Sequence, residues 1–136
     1  MTIFHEIIIG ILTLAIFLIL DFVWLGLIAK QIYSRYLGDK MLKKPNYLAA
    51  FSFYIIFVLG LIIFVIVPSL NLKDLNHLLI YAPLYGLVTY ATFDLTSEAV
   101  FKDWATAISV IDILWGIILS TATATLSYII AIHFIK

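Results

Sequence analysis

The sequence predicts an all-α, polytopic membrane protein with four transmembrane helices in one bundle. Three observations carry that expectation. The chain has 136 residues, 65% of them hydrophobic, and a mean hydropathy of +1.17. Only 12% of the residues are charged, against about 25% in ordinary soluble domains. A soluble chain this small could not hide so much apolar surface, whereas a bilayer accepts it. Finally, the apolar residues gather into four runs of the length, about 20 residues, that a helix needs to cross the hydrocarbon core.

The first run extends from about Phe4 to Ala29. Its opening, "MTIFHEIIIGILTLAIFLIL", lacks the basic head of a secretory signal and carries Glu6 instead, so a retained first span is expected. Asp21 sits inside it, at a cost of roughly 3 kcal/mol on insertion scales. The second run, about Tyr47 to Val67, holds no charge, and Pro68 is expected to close it. The third, about Leu75 to Phe93, is the most polar, with His77, Tyr81, Tyr85, Tyr90 and Pro83. It is expected to lean on the other three for insertion and to kink at Pro83. The fourth runs from about Thr106 to Phe134. Residues 1–136 thus form a single integral membrane domain.

Loop charge sets an orientation. The first connection carries Lys30, Arg35, Lys40, Lys43 and Lys44, and the third carries Lys102. Lys73 lies in the second connection and Lys136 at the C-terminus. The positive-inside rule places the first and third connections in the cytoplasm and both termini outside. In "KQIYSRYLGDKMLKKPN", Tyr33, Tyr36 and Leu37 share a helical face beside the basic residues. That segment reads as a topology signal with headgroup attraction, or as a docking surface for an acidic partner.

This topology gathers the acids. Asp21 falls in the last third of the first span, Asp94 at the inner end of the third, and Asp112 in the first third of the fourth. At 1.5 Å per residue, Asp21 and Asp112 lie roughly 10–15 Å in from their loops, with Asp94 and then Glu98 shallower. Trp24 and Trp115 stand three residues after Asp21 and Asp112, so Asp-x-x-Trp occurs twice, in "DFVW" and "DILW". On the fourth span Asp112 shares a face with Gly116, Ser120, Thr123 and Ser127, a stripe suited to close packing or to dimerisation. The two tryptophans fit an interfacial belt equally well. The acids fit structural hydrogen bonding as well as a functional cluster. A clustered carboxyl that keeps or shares a proton near neutrality can relay protons, act as a general acid or bind a cation.

Other chemistries are excluded or disfavoured. The chain has no cysteine, so disulfides, thiolate metal sites and a thiol nucleophile are out. His5, His77 and His133 fall on the outer side, away from the acids, so no metal site is expected. No cofactor is expected either, because no phosphate loop or metal motif is present. The net charge of zero gives no footprint for nucleic acid.

The series "DFVWLG", "PNYLAAFSFY", "YGLVTYATFDLTSEA" and "DILWG" resembles an uncharacterised family of small bacterial four-span membrane proteins, a domain of unknown function, over nearly the whole chain. The family pattern tends toward Asn after Asp-Leu-Thr, where this chain carries Ser97. The resemblance implies a location in the bacterial inner membrane. It also implies Asp21, Trp24, Asp94, Thr96, Asp112 and Trp115 as signature positions, which form the candidate polar pocket. It brings no activity with it, and whether the protein is an enzyme stays open. The leading expectation is binding or transport of a small molecule, lipid headgroup or proton through a cytoplasm-facing acidic pocket. The alternatives are a membrane enzyme acting on lipid and an accessory or assembly subunit of a membrane complex. The expected partners are the lipid bilayer and either a second copy or another membrane protein.

Overall fold

The computed structural model describes residues 3–38 and 46–134, and every element among them is helical. Helix α1 (Ile3–Trp24) passes through a wide turn at Leu25–Ala29 into α2 (Lys30–Leu37), making one rod of 35 residues. Helix α3 (Tyr47–Leu61) passes through a second wide turn at Ile62–Ile66 into α4 (Val67–Leu72). Helices α5 (Leu75–Val100) and α6 (Thr106–Phe134) complete the bundle. All four rods are long and apolar enough to cross a membrane. Lys40, Lys43, Lys44 and Lys136, which enter the loop-charge count, lie outside the described residues.

Three helix ends differ from the hydropathy boundaries, each for a local reason. The first rod does not stop at Ala29, because no breaker follows until Gly38. That glycine takes φ +50° and returns its N–H to the Ser34 carbonyl. At about 50 Å, the rod exceeds the roughly 30 Å hydrocarbon core. Pro68 does not close the second span, which continues to Leu72. In the wide turn ahead of it, the Val67 N–H reaches the Ile62 carbonyl, five residues back. Pro68, with no N–H to give, follows at the changeover to ordinary helix. The Ser69 hydroxyl adds a 2.7 Å bond to the Val65 carbonyl. The third span continues past Phe93 to Val100, and runs through Pro83, so Asp94 stands inside the helix. Asn46 and Asp74 cap α3 and α5, accepting from the backbone N–H groups of Ala49 (3.2 Å) and Asn76 (2.9 Å).

Helices α5 and α6 make the most extensive pairing, with α1 against α6 and α3 against α1. The α5–α6 approach is close enough that a Cβ on Gly86 would meet the Gly116 carbonyl oxygen. Small residues permit such contact in lipid, where packing rather than water exclusion joins helices. The stripe on α6 therefore serves internal packing: Gly116, Ser120, Thr123 and Ser127 are all buried. Within the core the Thr13 hydroxyl donates to Ser127 Oγ at 2.9 Å. Phe17, fully buried, packs against the rings of Tyr54 and Phe57 at 5.4 and 5.1 Å. The Tyr85 hydroxyl ties α5 to α3 through the Phe57 carbonyl at 2.8 Å. Ile19, Ile56, Phe64 and Val88 point outward, exposed as lipid-facing residues would be.

Candidate functional site

Near the end of the bundle where α5 hands over to α6, all four spans line an open cavity of about 410 Å³. The first rod contributes Asp21, Trp24 and Tyr33. The second contributes Phe53 and Tyr54, the third Tyr90 and Phe93, and the fourth Asp112 and Trp115. Among the described residues, no Lys, Arg or His lines the cavity. Helical period explains the placement. Asp21 ends the buried series Ile9, Thr13, Phe17 on α1, and Asp112, half-buried, falls between Ser109 and Gly116 on the buried face of α6.

The two Asp-x-x-Trp segments are interlocked. Trp115, from the second segment, donates its indole N–H to Oδ1 of Asp21, in the first, at 3.2 Å. Trp24 stacks on Trp115, with ring centroids 4.6 Å apart and planes 9° from parallel. Tyr33 donates its hydroxyl to Oδ1 of Asp112 at 2.7 Å, and Trp24 approaches that same hydroxyl. Tyr54, from α3, faces the Asp21 carboxylate. Each acid is thus held by groups from other parts of the chain. Such bonds to a charged acceptor are stronger than neutral ones.

Asp94 stands one layer behind the cavity wall. It is 0% exposed, its carboxyl abuts that of Asp112, and neither of its oxygens receives a hydrogen bond from a donor group among the described residues. Its backbone is clamped instead. The Ser109 hydroxyl donates to the Asp94 carbonyl at 3.3 Å, and the Trp104 indole donates to Ser109 Oγ at 3.0 Å.

Of the six sequence-derived positions, Asp21, Trp24, Asp112 and Trp115 line the cavity and Asp94 backs it. Thr96 is not brought to them. It is exposed, because two residues beyond Asp94 is roughly 200° round the helix. Helical phase alone would have set it apart. The polar and aromatic lining residues that the sequence reading leaves out of the pocket are Tyr33, Phe53, Tyr54, Thr89, Tyr90 and Phe93. Tyr33 carries the sharpest lesson. In an uninterrupted α-helix it would lie roughly 120° round from Asp21. The wide turn at Leu25–Ala29 winds less per residue and takes up part of that difference.

A multi-pass helical membrane protein, with paired acids and aromatic rings walled into one end of a four-span bundle, is what this fold and site define. Residues 6–129 match the family model described as a predicted membrane protein, DUF2177, and the chain belongs to that family. The match covers every residue of the cavity. No curated protein and no solved structure matches the chain.

Proposed function

We propose that the protein binds a small molecule or lipid headgroup carrying positive charge in this cavity, reached from the cytoplasmic side of a bacterial inner membrane. The observation that carries the reading is the lining itself: two carboxylates and a ring-rich wall, with no cationic side chain among the described residues. Carboxylates and aromatic faces both attract a cation, more strongly where water is sparse. A volume of about 410 Å³ lies in the range of small-ligand pockets. The orientation rests on loop charge. Lys30 and Arg35, on the last stretch of the first rod, and Lys102, between α5 and α6, lie at the cavity's end of the bundle, which the positive-inside rule assigns to the cytoplasm.

Charge preference is the test. The purified protein in nanodiscs is titrated with benzyltrimethylammonium and with its uncharged carbon isostere, neopentylbenzene, following tryptophan fluorescence. Saturable quenching by the cation alone, lost in D21N and D112N variants that keep their helical circular dichroism, supports the reading. Equal response to both compounds refutes it. A reporter fused after Lys136 should be active only outside the cytoplasm, and cytoplasmic activity would reverse the orientation.

A further inference from the structure

Asp94 is the buried group that ligand binding in the cavity leaves unexplained. Its carboxyl is fully enclosed, aims at Asp112, and has no donor among the described residues. Asp112 lines the cavity, as Asp21 does, and already accepts from Tyr33. Two ionised carboxylates are acceptors only and cannot satisfy one another. A single proton between them makes one a donor and the other an acceptor, the short charge-assisted bond that acid pairs form. Buried polar groups in native proteins are almost always hydrogen-bonded, to protein or to ordered water, and a shared proton supplies that bond from within the pair.

We propose that the Asp94–Asp112 pair holds one proton and releases it when a cation enters the cavity, so that the protein exchanges a proton for an organic cation. The inference rests on the cation-binding reading above and adds the exchange. The step balances in charge and atoms. The O–H bond between the pair breaks, its electron pair stays on the carboxylate, and the proton leaves to water at the cavity mouth. The ligand's positive charge takes its place beside Asp112. The other titratable groups facing this pair are Tyr33 and Asp21 from the first rod and Tyr90 from the third, while Tyr54 from the second faces Asp21. Asp21 is held separately by Trp115 and Tyr54, which leaves Asp94 as the enclosed acid without a donor. The clamp through Ser109 and Trp104 fixes Asp94 in place against Asp112.

The probe is benzyltrimethylammonium, which has no proton of its own to lose. It is added to the protein in weakly buffered detergent with a pH-indicator dye, and its affinity is measured between pH 5 and pH 9. The expected result is about one proton released per cation bound. Affinity should rise about tenfold per pH unit wherever the pair is protonated, because the proton is then a product of binding. In D94N a fixed amide N–H stands where the shared proton was, so release falls to background and affinity stops depending on pH. Binding by the wild type without proton release, at an affinity flat in pH, overturns the exchange and leaves cation binding standing. No binding at any pH overturns both.

Discussion

Gly86→Ala tests whether the α5–α6 contact holds the site together. An alanine Cβ at Gly86 would meet the backbone carbonyl oxygen of Gly116, and would lie 2.8 Å from Ser120 Oγ, where ordinary contacts begin at 3.4 Å. The serine hydroxyl can rotate away. The carbonyl belongs to the backbone of α6 and cannot, so the two helices must part. Overpacking of this kind costs about 1–3 kcal/mol. Parting them at Gly86 also loosens Tyr90 from Gly116, against which its ring rests, and so disturbs the cavity wall. The control is Gly26→Ala, where an added Cβ meets nothing within 4 Å. That change should be neutral or stabilising by up to about 1 kcal/mol from helix propensity. Reversible unfolding in mixed detergent, followed by circular dichroism, reads both. A G86A protein as stable as wild type would refute the close approach.

Two further perturbations follow from single bonds. Tyr33→Phe removes the 2.7 Å donor to Asp112 and should lower stability by about 1.5–3 kcal/mol, the range for bonds to charged groups; an unchanged unfolding midpoint would place Tyr33 away from Asp112. Thr13→Val strands the Ser127 hydroxyl, its partner at 2.9 Å, and should lower stability by about 0.6–1.7 kcal/mol, as interhelical hydroxyl bonds do in membranes. The double variant T13V/S127A should recover part of that loss, because it leaves no polar group unpaired.

The four spans were legible because bilayer thickness demands long apolar runs, and hydropathy measures those directly. The pairing of Asp21 with Asp112 followed from placing two acids at similar depth on antiparallel spans. Helix ends were not legible from hydropathy. Charge rises at Lys30 while the backbone continues to Leu37, since backbone bonding stops at breakers such as Gly38 and not at polarity. Pro68 reads as a stop, yet it stands where the wide turn hands over to ordinary helix, and the helix goes on to Leu72. Tyr33 was hidden for the same kind of reason: a local change of winding moved it between faces. Tyr54 sits in a span with no charge, and nothing in its own segment marks it as a partner of Asp21. Thr96, which the family resemblance implies as a signature position, is exposed, because helical phase sets it on another face from Asp94.

The central claim is that Asp21 and Asp112 face one cavity, and the chain's lack of cysteine allows a direct measurement. The double variant D21C/D112C is treated in membranes with a short bis-methanethiosulfonate reagent, cleaved between the two positions, and analysed by mass. The account predicts one reagent bridging both cysteines, with the two fragments held together until reduction. The control pair I19C/L114C, on outward faces that are 64% and 55% exposed, should give no bridge. Two separately modified cysteines at 21 and 112, with the fragments free, would contradict the account.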